Sequence, residues 1–212
     1  MNTKQIAFVA IMSSLGTLLS GISISVAPFL TAAGMGTAAL DLSHIATFIS
    51  AIFGGAYVGA AVGFFGGVYA GYYFGYIGGS FGLLSLIGLP LGKAATGLLA
   101  GFLYKRLKVG NSSKRGILTL PITLASYIPE SIYTYLYFVN LVPFFLGSYV
   151  TQFITITFVI FVISKGWLEI TLMSMLMTAL TTRASFREFI VKSSVFQGSR
   201  DNLSKNKKTD RE

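Results

Sequence analysis

The chain has no cysteine and only one histidine, His44. Without thiols it cannot form disulfide bonds, a thiolate nucleophile or a cysteine metal site, and one histidine cannot supply the several ligands that zinc or iron normally needs. The phosphate-loop pattern GxxxxGK[ST] and the zinc-protease pattern HExxH are also absent. These absences argue against a redox protein, a metalloenzyme and an ATPase, and they predict no metal and no cofactor.

Charged residues are scarce as well. Only 11% of the 212 residues are charged, against about 25% in soluble domains, and 53% are hydrophobic. Between Gln5 and Tyr104 the ionisable residues other than tyrosines are Asp41, His44 and Lys93. Helices that are hydrophobic all round belong in a membrane or a large core. The composition therefore predicts an integral membrane protein that lies in a lipid bilayer.

Apolar segments of about span length follow one another along the chain. They lie at 5–25, 40–53, 56–75, 83–104, 116–138, 147–164 and 167–182. The first begins too near the N-terminus, and without a visible cleavage site, to be a removed signal peptide, so we interpret it as a retained span.

Basic residues set the expected orientation. The net charge of +9 comes mostly from the loop at 105–115 and from the tail after Arg183, which predicts that both are cytoplasmic. Seven crossings would leave the tail outside. We therefore predict an all-α bundle of six transmembrane helices over residues 1–183, with both termini cytoplasmic. A basic, disordered tail over 184–212 follows, and we favour this interpretation of the tail over binding of RNA or lipid headgroups.

Two segments are candidates for the one that does not cross. The segment at 167–182 is flanked by Lys165, Glu169 and Arg183, so it either continues the preceding helix or lies in the membrane interface. Alternatively, 116–138 is a broken or re-entrant element, because Pro121 and Pro129 interrupt it. The sequence leaves both alternatives open.

Glycines recur at every fourth position through the third segment. They are Gly55, Gly59, Gly63, Gly67, Gly71, Gly75 and Gly79. Small residues at this spacing let the backbone of a second helix approach closely, so the stripe predicts a packing face. Four tyrosines occupy the opposite face of the same helix, and they form either an interfacial aromatic belt or the wall of a ligand site. They are Tyr69, Tyr72, Tyr73 and Tyr76.

The scarce polar residues are expected to converge in the outer half of the bundle. Asp41 and His44 begin the second span, Lys93 lies within the fourth, and one face of the fifth carries Glu130, Tyr133 and Tyr137. An ionisable residue inside a span costs about 3 kcal/mol and indicates a functional site with a nearby partner. For Lys93 we predict Glu130 or Asp41. The alternatives are a purely structural ion pair, a capping role for Asp41 and a helix-start role for His44.

Four stretches together resemble a known family. They are "IAFVAIMSSLG" at 6–16, "SVAPFLTAAGMGTAAL" at 25–40, "LDLSHIATFISAIFGGAYVGAAVGFFGG" at 40–67 and "GLPLGKAATGLLAGFLYKRL" at 88–107. Two spans joined by a tight glycine turn, an irregular first loop and a span that ends at a basic loop are shared features. Over residues 4 to about 140 the chain resembles the substrate-binding S component of energy-coupling factor vitamin transporters.

The resemblance implies a protein of the prokaryotic plasma membrane that is not an enzyme. It would bind a water-soluble vitamin or related micronutrient from outside and dock on a transmembrane coupling subunit with two ATP-binding subunits; no nucleic acid is expected. Family members dock through an AxxxA face on the first helix, which corresponds here to Ala10-x-x-x-Ser14, with Ala7 and Ser13 nearby. The pocket would have Asp41 and His44 at its rim.

The remaining predicted ligand residues complete that pocket. The four tyrosines of the third span would form its wall, and Lys93 with Glu130 its floor. Two other functions remain open at this stage. One is a membrane enzyme that acts on lipid-linked substrates, with Asp41, His44 and Glu130 as acid and base. The other is a structural subunit in which the glycine stripe only packs against a partner.

Overall fold

The computed structural model describes residues 3–32, 41–77, 81–112, 114–147, 156–186 and 188. Within these ranges every regular element is a helix, which confirms the all-α prediction. The tail from residue 189 lies outside the described residues.

Eight α-helices make up the described part of the chain. They are α1 Thr3–Ala32, α2 Ser43–Gly54, α3 Ala56–Tyr72, α4 Gly82–Arg106, α5 Arg115–Ser126, α6 Ile128–Leu136, α7 Val142–Leu146 and α8 Ile156–Thr182. A π-helical turn at Tyr73–Ile77 extends α3, another at Tyr137–Leu141 joins α6 to α7, and a 3₁₀ turn at Val109–Asn111 follows α4.

Among the described residues, three helices are long and apolar enough to cross a membrane: α1 within Thr3–Val26, α4 and α8. The most apolar stretch of each helix contains few charged residues, and most side chains along it are not buried inside the protein. Long apolar helices with outward-facing apolar side chains are typical of a membrane protein. The number of crossings and the orientation of the termini stay predictions.

The last third of the chain differs from the predicted segments. From Ile156 onward, the segments 147–164 and 167–182 belong to one 27-residue helix, α8, which is about 40 Å long. The alternative in which 167–182 continues the preceding helix is therefore the one observed, because no proline interrupts α8 and Gly166 is accommodated within it. Residues 148–155 lie outside the described part of the chain.

The predicted fifth segment is broken as its prolines suggest. α5 ends at Ser126 and α6 begins at Ile128, with Tyr127 between them. Pro129 lies at the start of α6, where its missing N–H group is tolerated. Pro121, by contrast, lies inside α5 without ending it. The break places Glu130 and Tyr133 on α6, and α5 is the helix that begins next to the basic loop.

The glycine stripe of α3 packs against the backbone of α4, as predicted. A Cβ atom added at Gly63 would lie 2.5 Å from the carbonyl oxygen of Lys93, and one added at Gly71 would lie 2.6 Å from that of Ser85. Contacts of the same kind continue at Gly59, Gly67 and Gly75. Gly55 has φ 88° and forms the tight turn between α2 and α3, a conformation that favours glycine. Gly79 lies outside the described residues.

Antiparallel connections bring distant residues together inside the bundle. The start of α4 lies beside the last turns of α3, where Gly71 and Gly75 meet Ser85 and Gly82. The start of α2 lies deeper, beside Lys93 near the middle of α4, and Asp41 just ahead of it meets Glu169 near the middle of α8. The main apolar core includes Phe48, Val62 and Met177.

Candidate functional site

A cavity of about 310 Å³ extends from the start of α4 to the middle of the bundle, in the half away from the basic loop. Residues from α2, α3, α4, α6 and α8 line it, together with Asp41 just ahead of α2. Six of the ten predicted ligand residues lie here: Asp41, His44, Lys93, Glu130, Tyr133 and Tyr137. The volume is at the lower end of the range for small-molecule sites, about 300–1,000 Å³.

Lys93 is paired with Asp41. Its Nζ donates to Asp41 Oδ2 and, at 2.6 Å, to Ser43 Oγ, and the residue is only 6% exposed. Asp41 Oδ1 also accepts a hydrogen bond of 3.0 Å from the backbone N–H of Ser43 in the first turn of α2. Asp41 is therefore the partner of the buried ammonium, one of the two that the sequence predicts for Lys93. It does not occupy the N-cap position of α2, which is Leu42, but bonds the first turn from one residue earlier.

Glu130 has a different set of neighbours. Its Oε2 accepts a hydrogen bond from the hydroxyl of Thr96, and its Oε1 lies 3.6 Å from His44 Nε2. His44 Nδ1 is buried, and no hydrogen-bond partner for it exists among the described residues. The imidazole ring packs edge-on against Tyr127, with ring centroids 6.4 Å apart. Glu130 on α6 therefore contacts α4 through the Thr96 hydroxyl and α2 through the His44 imidazole, and neither group is an ammonium.

A second ion pair lines the cavity, and its two residues are not among the predicted ligand residues. Lys165 Nζ lies 3.2 Å from Glu169 Oε1 one turn along α8. Glu169 Oε1 also accepts a hydrogen bond of 2.8 Å from the backbone N–H of Asp41. The sequence contains a signal for this pair, because opposite charges four residues apart within an apolar run can pair on one face of a helix. Their position beside the apolar run at 167–182 instead predicts the flank of a separate segment.

Tyrosines on one face of α6 form part of the wall. The hydroxyl of Tyr137, a residue only 1% exposed, lies 3.2 Å from Ser85 Oγ on α4. Tyr133 and Tyr137 face each other with ring centroids 6.0 Å apart. Gly88 and Gly92 leave the space that these two rings occupy, because a Cβ at either glycine would press against them. Small residues of α4 therefore shape the cavity as well as the helix packing.

The four tyrosines of α3 do not line the cavity, which corrects the prediction of a tyrosine wall there. Tyr72 and Tyr76 are about half exposed, and Tyr69 packs against Gly21 of α1. Tyr73 is also absent from the lining, to which α3 and its π turn contribute Ala70 and Phe74. The glycine face of α3 is turned toward α4, so the opposite face is turned away from the cavity. Tyr127 and the phenylalanines of α8 supply aromatic surface instead.

The predicted docking residues lie on the outer face of α1. Ala7, Ala10 and Ser14 are exposed, while Ser13 points inward and is 9% exposed. Exposed apolar side chains such as Ile11 and Leu18 surround them. The face is therefore accessible either to lipid or to another membrane helix.

The described residues form neither a metal site nor a serine nucleophile of the hydrolase type. No group of three or more histidine, aspartate or glutamate side chains among them is placed to hold a metal ion. The sequence GGSFG at 78–82 has the spacing of the GxSxG nucleophile elbow, a motif that requires a preceding strand. Here the helical residues Tyr73–Ile77 precede it, and Ser80 lies outside the described residues.

No family model, no curated protein and no solved structure matches this chain. A function must therefore be argued from the geometry and chemistry of the cavity.

Gly166 controls the shape of the cavity at Tyr127. A Cβ atom at this position would overlap the Tyr127 hydroxyl, and Tyr127 packs edge-on against Trp167 with ring centroids 5.3 Å apart. We expect Gly166→Ala to displace Tyr127 and to shift the fluorescence of Trp167, the only tryptophan in the chain. Gly110→Ala is the matched control, because its added methyl meets Tyr104 only at an ordinary 3.7 Å. Identical emission spectra for both variants would contradict the packing described here.

Proposed function

We propose that this chain is the membrane-embedded binding subunit of an uptake system for a water-soluble vitamin or related micronutrient, of the energy-coupling factor type. In this proposal six helices cross a prokaryotic plasma membrane, with both termini in the cytoplasm. The cavity then opens toward the outside, because it lies in the half of the bundle away from the basic loop.

One observation supports a binding role most strongly: buried polar groups from separate helices surround an open volume. An ion pair that only joined two helices would need no cavity beside it. Here Lys93, Glu130 and Glu169, each less than 10% exposed, line a cavity large enough for a small ligand. Buried charges inside an apolar bundle are costly and mark functional sites. Their contact with an open volume favours ligand binding over a purely structural role.

Energy for uptake would come from partner subunits, because the sequence has no phosphate loop of its own. We propose that a transmembrane coupling subunit, which carries two ATP-binding subunits, docks on the face of α1 that contains Ala7, Ala10 and Ser14. Small residues on an exposed helix face permit the close backbone approach on which helix association in lipid depends.

Native mass spectrometry of the full chain, purified gently from the membranes of its own host, tests the proposal. We expect a retained small molecule of vitamin size, or a complex with a coupling subunit and two ATPases. A bare monomer, under conditions that keep other membrane complexes intact, would count against the proposal. In that case, turnover of lipid-linked substrates would become the next activity to assay.

Docking on α1 can be tested separately. We expect Ala10→Trp to abolish co-purification of the coupling subunit, because the large ring would keep the two helix backbones apart. Retention of the small molecule should be unchanged, since Ala10 lies outside the cavity. Phe65→Trp, at an exposed position of α3, is the control and should leave the complex intact. An intact complex in the Ala10→Trp variant would show that docking occurs elsewhere.

A further inference from the structure

The charges that line the cavity do not balance. Three carboxylates, Asp41, Glu130 and Glu169, face two ammonium groups, Lys93 and Lys165. With His44 uncharged and all three carboxylates ionised, the lining has one negative charge in excess. In a low-dielectric site such an excess is unfavourable unless a ligand, an ion or a proton compensates it.

The geometry locates the excess at Glu130. Lys93 pairs with Asp41, and Lys165 pairs with Glu169 at 3.2 Å. Glu130 receives a hydrogen bond from the Thr96 hydroxyl, and its other oxygen lies 3.6 Å from His44. Neither partner carries a permanent positive charge. Glu130 is thus the carboxylate on the cavity wall that lacks an ammonium partner of its own among the described ion pairs.

Aromatic faces surround the same volume. Eight of its lining residues are phenylalanine or tyrosine, and Tyr133 lies one turn beyond Glu130 on α6. The negative face of an aromatic ring attracts cations, this attraction is stronger in desolvated sites, and ammonium ligands are often bound in this way. A carboxylate among aromatic rings therefore selects a ligand that combines positive charge with apolar surface.

On the basis of the proposed binding function, we infer that the ligand is a small organic cation whose positively charged nitrogen pairs with Glu130. Its apolar part lies against the aromatic rings of α6 and α8. The Lys93–Asp41 pair joins α4 to the start of α2, and Glu169 joins α8 to the same start through the Asp41 backbone. Both lysines remain available for hydrogen bonds to the ligand's polar groups. A cation in this position neutralises the excess charge and gives Glu130 the partner that it otherwise lacks.

Three probes of nearly equal size test the charge preference: benzylamine, which is positive at neutral pH, benzyl alcohol, which is neutral, and benzoate, which is negative. Each is titrated against the full-length wild-type protein, with the fluorescence of Trp167 as the readout, because Trp167 contacts the cavity residue Tyr127. We expect benzylamine to bind at least about tenfold more tightly than benzyl alcohol, and benzoate to bind most weakly. Equal or tighter binding of benzyl alcohol or benzoate, or no binding of any probe, would overturn the inference.

Glu130→Gln locates the preference. The amide can still accept the hydrogen bond from Thr96, so we expect the affinity for benzylamine to fall to that for benzyl alcohol, which itself should change little. Glu188→Gln removes an exposed carboxylate outside the cavity and should retain the full preference. An unchanged preference in Glu130→Gln would overturn the assignment to this residue. The wild-type titrations test the charge preference even if this variant does not fold.

The inference and the proposed function can fail separately. If native mass spectrometry identifies a retained vitamin-like compound that is neutral or negatively charged, the inference is wrong and the proposed function stands. If no compound and no partner subunit is retained and no probe binds, both are wrong.

Discussion

Lys93→Met should abolish retention of the bound ligand and destabilise the protein by about 3–5 kcal/mol. The substitution removes the ammonium group and leaves the Asp41 carboxylate without its charged partner. The Ser43 hydroxyl also loses its charged donor. Thermal unfolding in detergent, combined with mass spectrometry of the retained compound, measures both effects. Lys105→Met, at an exposed position near the end of α4, is the matched control and should change neither.

A second variant separates binding from stability. In the double variant Lys93→Met with Asp41→Asn, the stranded charge is gone, while the asparagine oxygen still accepts the hydrogen bond from the Ser43 backbone. We expect stability to recover largely and ligand retention to stay lost. Recovery of both would mean that the ion pair only joins α2 to α4, and would count against its place in the binding site.

Gly63→Leu should prevent folding or reduce the yield of folded protein severely. Even a Cβ atom at this position would lie 2.5 Å from the Lys93 carbonyl oxygen and 3.1 Å from the Ala94 nitrogen. A backbone cannot move aside as a flexible side chain can, so α3 and α4 would have to separate. We expect a loss of about 3 kcal/mol or more, at the upper end of overpacking effects. Size-exclusion chromatography of the solubilised protein measures the folded yield.

The control for this substitution lies on the same helix. Phe65→Leu, two residues away at a position that is 54% exposed, also places a leucine on α3 but does not face α4. It should yield folded protein at the wild-type level. A normal yield for Gly63→Leu would contradict the close contact between α3 and α4. The same contact also positions the cavity, because the backbone that Gly63 meets is that of the cavity residue Lys93.

Sequence reasoning found the polar part of the site because charge is scarce in this chain. In a membrane protein each buried ionisable residue is expensive, so Asp41, His44, Lys93 and Glu130 stand out without any structure. The glycine stripe of α3 was predictable for a related reason: its period of four has few explanations other than a close helix contact. An isolated charge and a glycine period can each be seen within one segment, without knowing which other helices lie beside it.

The errors have a common cause. The tyrosines of α3 share one face, which favours a wall of the pocket, yet a face of a helix does not reveal which neighbour it meets. Lys165 and Glu169 lie between two apolar runs, and this position by itself predicts the edge of a separate segment. In the structure they belong to the interior of α8 and contact the start of α2 through the Asp41 backbone.

The sequence by itself determined the helical class, the apolar character of the long helices, the packing face of α3 and the identity of most of the polar site. These follow from composition and period, which are local. Only the tertiary structure decided that Lys93 pairs with Asp41 rather than Glu130, that Glu169 joins the site and that the tyrosines of α3 do not. Such choices depend on how helices distant in sequence are rotated against one another. That rotation is decided by the packing of many side chains at once, so no single segment contains it.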